Sequence, residues 1–196
     1  MGKGLIVHKY LYLGNYICSK CNDSLAQYIV KDFNIKFNTF IGDFGQVSST
    51  VKNKLFRQYC CSFDGYQNCA LHDKNMKTFY ITWRKAIRRI WKLPYRAHSR
   101  LLPCISDMPS PDVILEKRLM KFVLTGINHE NSVVNFMFNL ALGNVSTTGD
   151  NVRYICQKYN IQPGNVPYVS QQEIDSQILM MFKNGIREDI YELEIR

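Results

Sequence analysis

A basic, amphipathic segment near the middle of the chain constrains the fold most. Residues 74–100 carry nine Lys or Arg and no Asp or Glu, while the other residues carry sixteen bases and sixteen acids. Placed at 100° steps, its residues separate into an apolar side and a basic side. We therefore predict a helix from about Phe79 to Leu93, ended by Pro94, with one side in the core.

The apolar and basic sides of this helix do not overlap. The predicted core side holds Phe79, Trp83, Ala86, Ile87, Ile90 and Trp91, and the basic side holds Lys77, Arg84, Lys85, Arg88, Arg89 and Lys92. After Pro94, we expect a turn with Tyr95 packed beneath it; the alternative is a rigid corner that aims Tyr95 and His98 at a duplex. A solvated helix face usually mixes charge signs, so a face without acids favours contact with phosphate over simple hydration.

The other periodic segments predict a mainly α fold with a short N-terminal β-hairpin or strand pair, because residues 5–17 are rich in β-branched and aromatic residues and break at Gly14-Asn15. Helices are predicted from the Asn22 or Asp23 cap, from Val47 to Tyr59, after Ser110-Pro111, and after the Ser170–Glu173 capping box. The segment from Asn131 to Leu142 is apolar nearly all round, and we expect a buried helix. We divide the chain into a strand segment (1–20), a helical region with the basic helix (21–105) and a C-terminal helical region (106–196).

Motifs for catalysis or nucleotide binding do not occur in the sequence. The acids are scattered, and neither GxGxxG nor GxxxxGK[ST] occurs. Cys18-Ser-Lys-Cys21 has the spacing of half a zinc site. Cys60 with Cys69 or His72 would supply a second pair of ligands, but no second CxxC or HxxxH motif occurs. We expect reduced cysteines in ordinary packing, no metal or cofactor, and no catalytic residue.

Apolar runs long enough to cross a bilayer and a secretion signal do not occur in the sequence. Because an odd number of cysteines accompanies this pattern, a disulfide framework is not expected. We therefore expect a cytoplasmic or nuclear protein that does not bind membranes.

The order of several short motifs resembles one family. The motifs are Tyr12-Leu13-Gly14-Asn15, Phe37-Asn38-Thr39-Phe40 with Phe44, Val51-Lys52-Asn53-Lys54-Leu55-Phe56, Tyr59-Cys60, and WRKAIRRIWKLPYRAHSRLL at 83–102. Together they resemble the region that follows the catalytic palm in LINE-type (non-LTR) retrotransposon reverse transcriptases, over roughly residues 9–125. The chain departs from that pattern at Phe63-Asp64-Gly65, where the family usually has Tyr-Gly and a nearby tryptophan.

This resemblance implies a palm edge, a helical thumb and a C-terminal helical region. The polymerase aspartates of the family lie in an upstream Tyr/Phe-Ala-Asp-Asp motif that does not occur here, so a fragment without catalytic activity of its own is implied. Because a thumb holds the template and primer duplex, the implied phosphate-binding residues are Lys77, Arg84, Lys85, Arg88, Arg89, Lys92, Arg96 and Arg100. The implied partner is RNA, DNA or an RNA/DNA hybrid, bound without sequence preference.

Two alternatives remain open. The basic side also suits an acidic protein partner, or a polymerase palm supplied in trans, which would make the chain a helical protein-interaction module. A chain that descends from a decayed mobile element also fits the resemblance, as a relic without a function. Binding to short duplexes that weakens steeply with salt favours phosphate contact over the protein-interaction module.

Overall fold

The computed structural model describes residues 9–12, 15–18, 22–63, 69–71, 73–144, 146–162, 166 and 170–194, with side chains from residue 26 to residue 185 within those ranges. Helices dominate this part of the chain, which confirms the predicted mainly α fold. They are α1 (Asn22–Phe44), α2 (Ser49–Cys60), α3 (Lys74–Ile90), α4 (Leu102–Ser106), α5 (Pro111–Ile127), α6 (Ser132–Gly143), α7 (Thr147–Lys158) and α8 (Gln171–Glu194), with a 3-10 turn at Ser99–Leu101 before α4.

Two four-residue strands precede α1. The backbone of β1 (Lys9–Tyr12) pairs antiparallel with that of β2 (Asn15–Cys18), with Lys9 opposite Cys18. Residues 13 and 14 and the side chains of both strands lie outside the described residues. The hairpin turn and the palm-edge role expected for residues 1–20 therefore stay predictions.

An aromatic cluster holds the first three helices together. The Phe33 ring of α1 lies edge-on to Phe56 of α2 and Phe79 of α3, with ring centroids 6.1 and 5.4 Å apart. All three rings are fully buried. Edge-to-face pairs add about 0.5–1.5 kcal/mol each to the free energy of burial. The cluster therefore fixes which side of α3 faces inward.

The helix α5 lies at the centre of the C-terminal region and packs against α3, α6, α7 and α8. Its start at Pro111 confirms the Ser110-Pro111 prediction. The predicted capping box also forms before α8: the Glu173 amide donates to Ser170 Oγ at 3.2 Å, and the Ser170 amide donates to Glu173 Oε2 at 2.8 Å.

One continuous set of buried apolar side chains has members in both predicted helical regions. The buried Asn151 side chain of α7 joins the two regions further, because it accepts from the Leu71 amide at 3.0 Å and donates to the Cys69 carbonyl at 2.7 Å. A buried amide that lost these partners would cost about 1–3 kcal/mol. The division at residue 105 stays a prediction.

The end of α3 differs from the prediction. The helix ends at Ile90, because the backbone turns left-handed at Lys92, with φ 51°. The Leu93 amide donates to the Arg88 carbonyl at 2.8 Å, and the Lys92 amide to the Arg89 carbonyl at 3.4 Å. These two bonds form a Schellman motif. Pro94 follows a helix that has already ended, so it does not terminate α3.

The prediction of a buried helix from Asn131 to Leu142 was wrong. No residue of α6 is buried. Its apolar residues lie on two opposite sides: Phe138 and Leu142 pack against the core, while Val133, Phe136, Met137 and Leu140 are exposed. Neighbouring helices cover one side only. Phe122 of α5 is half exposed beside the Phe138 ring, with centroids 5.1 Å apart.

Candidate nucleic-acid interface

The helix α3 presents the two sides that its sequence predicts. Its buried residues are Met76, Phe79, Trp83, Ala86, Ile87 and Ile90. The indole of Trp83 is 1% exposed, which confirms a core role, and Trp91 is partly buried against the same core. The nine basic residues of 74–100 are therefore confined to the other side of α3 and to the turn after it.

A groove of about 920 Å³ opens along the basic side of α3. One wall is α3 with the following residues 95–100, and the opposite wall is formed by Met181, Phe182 and Gly185 of α8. The start of α5, at Ser110, Asp112 and Val113, and the end of α7 complete its lining. The groove therefore lies between segments that are far apart in sequence.

The predicted phosphate-binding residues divide into two sets. Five of the eight line the groove: Arg84, Lys85, Arg88, Arg96 and Arg100. Lys77, Arg89 and Lys92 do not line it. The Arg89 guanidinium instead lies over the Phe37 ring of α1, 5.8 Å from its centroid. All eight were predicted to bind phosphate, because neither helical angles nor the family resemblance shows which neighbouring element borders each side chain.

The Arg88 side chain forms hydrogen bonds with the turn that follows α3. Its Nη2 donates to the Ala97 carbonyl at 2.9 Å and to Ser99 Oγ at 2.8 Å, and its Nε donates to the Ala97 carbonyl at 3.3 Å. Hydrogen bonds from a charged donor contribute about 1.5–3 kcal/mol. Arg88 therefore holds residues 95–99 against α3, a role in which it positions other groove residues.

Tyr95 lies on the surface, contrary to the expectation that it packs beneath the turn. Its side chain is 82% exposed at the rim of the groove. The Arg88 guanidinium lies 6.0 Å from the centre of its ring. Leu93 packs against the core instead, so the turn buries its leucine and leaves its tyrosine outside.

The charge of the groove is strongly positive. Among the described residues that line it, the cations are Arg84, Lys85, Arg88, Arg96, Arg100 and Lys158, and Asp112 is the sole acid. Within the part of the chain with described side chains, Arg84, Lys85 and Arg96 form no ion pair. Like charges held together raise the local potential for an anion.

One groove cation is neutralised from inside the protein. Lys158 Nζ lies 2.8 Å from Glu116 Oε1 and 3.6 Å from Asp112 Oδ2. Glu116 is 1% exposed and also accepts from the Tyr159 hydroxyl at 2.5 Å. Burial raises the pKa of Glu116, and the Lys158 ammonium opposes that rise. Burial would lower the pKa of Lys158, but the Glu116 carboxylate outweighs it, so that pKa is raised.

The apolar wall and the neutralised lysine were not identified from sequence. The packing of α5, α7 and α8 brings three residues to the same groove as Arg84: Lys158, Met181 and Gly185. Their local patterns are those of ordinary helix residues, so no local signal marks them. The partly buried side chain of Phe182 packs against the core and also lines the groove.

The cysteines do not form a reactive or ligating centre in the described side chains. Burial raises the pKa of the Cys60 and Cys69 thiols to about 12, which keeps them protonated and poorly nucleophilic. Cys104 is exposed. No group of three or more His, Cys, Asp or Glu side chains within the described residues is placed to hold a metal ion. The Cys18–Cys21 pair lies outside those side chains.

Comparison of the chain with protein-family models, curated proteins and solved structures found no match. Among the described helices, none combines the length and the apolar character that crossing a bilayer requires.

Proposed function

We propose that this chain binds nucleic acid through the groove between α3 and α8, by contact with phosphates. The observation that carries the proposal is the lining of the groove, where six cations meet one acid among the described residues. Three of those cations, Arg84, Lys85 and Arg96, have no ion-pair partner in the described side chains. Phosphates therefore do not have to displace an acid to reach them.

The binding is independent of base sequence in this proposal. Guanidinium and ammonium groups that contact phosphates fix the position of a nucleic acid, but they do not distinguish its bases. Each phosphate contact releases condensed counterions, so affinity falls linearly on a plot of log K against log salt. Arg88 acts indirectly, because its hydrogen bonds place Arg96 and Tyr95 at the rim.

The same proposal takes the chain as the thumb and C-terminal region of a LINE-type reverse transcriptase, with a role in binding and none in catalysis. Its support is the resemblance of residues 83–102 and the absence of a Tyr/Phe-Ala-Asp-Asp motif from the sequence. In this view, the groove holds nucleic acid for a polymerase palm supplied by another polypeptide or domain.

The test is fluorescence anisotropy with a 20-base-pair RNA/DNA hybrid at several salt concentrations. The groove variant carries Arg84→Ala, Lys85→Ala and Arg96→Ala, and the matched control carries Lys31→Ala, Lys54→Ala and Lys121→Ala. Both variants lose three positive charges from side chains that are exposed or half-buried. We expect the groove variant to reduce the salt slope by about two to three and the control to leave it within about one. Equal slopes for both variants would exclude the groove.

A second candidate function, protein interaction, is favoured by α6. This helix has no charged residue, and Val133, Phe136, Met137 and Leu140 form an exposed apolar stripe at helical spacing. Such a stripe suits an apolar partner surface. It has no positive charge with which an acidic partner could pair. Sedimentation velocity from low to high micromolar protein tests the simplest case, a second copy of this chain. A single concentration-independent species would exclude that case.

A further inference from the structure

The groove has two chemically different walls. The α3 wall and the following turn present Arg84, Lys85 and Arg96, whereas the α8 wall presents Met181 and Phe182. A phosphate alone needs only the first wall. A ligand that uses both must carry anionic groups on one side and flat or apolar groups on the other.

A single nucleic-acid strand meets this requirement, and a duplex does not. In a duplex the base faces are stacked on each other inside the helix, and the surface offered to a protein is mainly phosphate and sugar. In a single strand the base faces are accessible, and proteins hold them by stacking on aromatic side chains beside a cationic groove.

The volume of the groove points the same way. At about 920 Å³ it lies near the upper end of the range of about 300–1,000 Å³ that is usual for small-ligand sites. A few linked nucleotides fit into such a space. A duplex offers such a lining its backbone only, which suits the cations of α3 and leaves Met181 and Phe182 without an apolar partner.

Tyr95 supplies an aromatic platform at the rim. Its ring is 82% exposed, and the turn that carries it is held by Arg88 and by a hydrogen bond from the Ala97 amide to the Pro94 carbonyl at 2.9 Å. Because the backbone of this turn is already held in place, stacking of a base on the ring costs little backbone entropy. Leu93 packs against the core, so the turn does not need to bury the Tyr95 ring.

We propose that the groove binds single-stranded nucleic acid, with phosphates on Arg84, Lys85 and Arg96. One unpaired base stacks on Tyr95 at the rim, and the neighbouring base packs against Met181 and Phe182. This inference rests on the proposed function, because it uses the same cations. It adds the strandedness of the ligand and names the residue that recognises an unpaired base. Bases stack through their π faces, so the inference covers RNA and DNA and implies no base preference.

The experiment compares labelled dT12 and U12, an abasic 12-mer and a 12-base-pair hybrid by anisotropy at one salt concentration. We expect the protein to bind dT12 or U12 at least about fivefold more tightly than the hybrid. Tyr95→Ala should weaken binding of the base-containing single strands by roughly tenfold and should leave binding of the abasic strand and the hybrid unchanged. Tyr95→Phe should retain the parent affinity, and Tyr59→Ala, at an exposed tyrosine of α2 outside the groove, serves as the control.

The possible outcomes separate the two proposals. A loss with either dT12 or U12 supports the inference, and the strand that responds shows which sugar the groove accepts. If Tyr95→Ala weakens neither strand while the groove variant reduces the salt slope, the inference is overturned and the proposed function stands. If the groove variant also leaves the slope unchanged, both are overturned. Circular dichroism of each variant establishes that the helices remain folded.

Discussion

The helices α3 and α6 contrast in how sequence translates into burial. In α3 six apolar residues share one side and are buried, while Ile81 is exposed on the other side. In α6 the apolar fraction is higher, yet none of its twelve residues is buried. The difference lies in arrangement, because the neighbours of a surface helix cover one side of it. Segregation of apolar residues therefore predicts burial better than their total number does.

The largest expected effect tests this contrast directly. Trp83→Ala should lower the free energy of unfolding by about 3–5 kcal/mol, because a fully buried indole leaves a large cavity. Phe136→Ala should lower it by less than about 1 kcal/mol, since its ring is already 63% exposed. Urea denaturation monitored by circular dichroism measures both variants. Similar losses for the two would mean that the outer side of α6 is covered in solution.

A smaller effect is expected on the basic side of α3, where Arg88 and Lys85 differ in role. Arg88→Ala should lower the free energy of unfolding by about 1.5–3 kcal/mol, because the Ala97 carbonyl and Ser99 hydroxyl lose their donor. Lys85→Ala, at an exposed position, should change it by less than about 0.5 kcal/mol. The same denaturation assay compares them, and equal losses would contradict a structural role for Arg88.

The left-handed end of α3 offers a stabilising change. Lys92→Gly should raise the free energy of unfolding by about 1 kcal/mol, because glycine adopts a φ of 51° without the steric penalty of a side chain. Thermal denaturation should show a higher Tm. Lys92 lies outside the groove, so nucleic-acid binding should be retained within about twofold. A lower Tm would mean that the lysine side chain stabilises the turn in another way.

The smallest effect on stability is expected on the outer side of α6. Phe136→Asp should change the free energy of unfolding by less than about 1 kcal/mol, since the ring makes few core contacts. It should nevertheless shift any concentration-dependent association toward the monomer, because it places a charge in the apolar stripe. Ile35→Asp, at an exposed isoleucine of α1, is the matched control in sedimentation velocity. Association that persists in Phe136→Asp would assign it to another surface.

Local sequence signals predicted much of the fold. The proline start of α5 and the capping box of α8 each depend on residues within one helical turn, so their patterns carry the information. The end of α3 was missed because a lysine occupies the left-handed position at which glycine is the usual signal. Exposure of α6 was missed because burial depends on what packs nearby.

The candidate site was predicted only in part. Charge segregation identified the cations of α3 and of the following turn, five of which line the groove. The pairing of Lys158 with Glu116 and the α8 wall depend on tertiary packing, which no motif encodes. Arg88 shows the limit most clearly, since its charge suggests a phosphate contact while its hydrogen bonds hold the turn.

The confinement of the excess charge to one segment also has a kinetic consequence. The rest of the chain carries equal numbers of acids and bases, so residues 74–100 carry the net charge of +9 and give that segment a positive field. Such a field attracts an anionic polymer and orients the encounter before contact, which accelerates association above the orientation-limited rate. Salt should therefore act chiefly on how fast the complex forms, while its lifetime depends on short-range contacts within the groove.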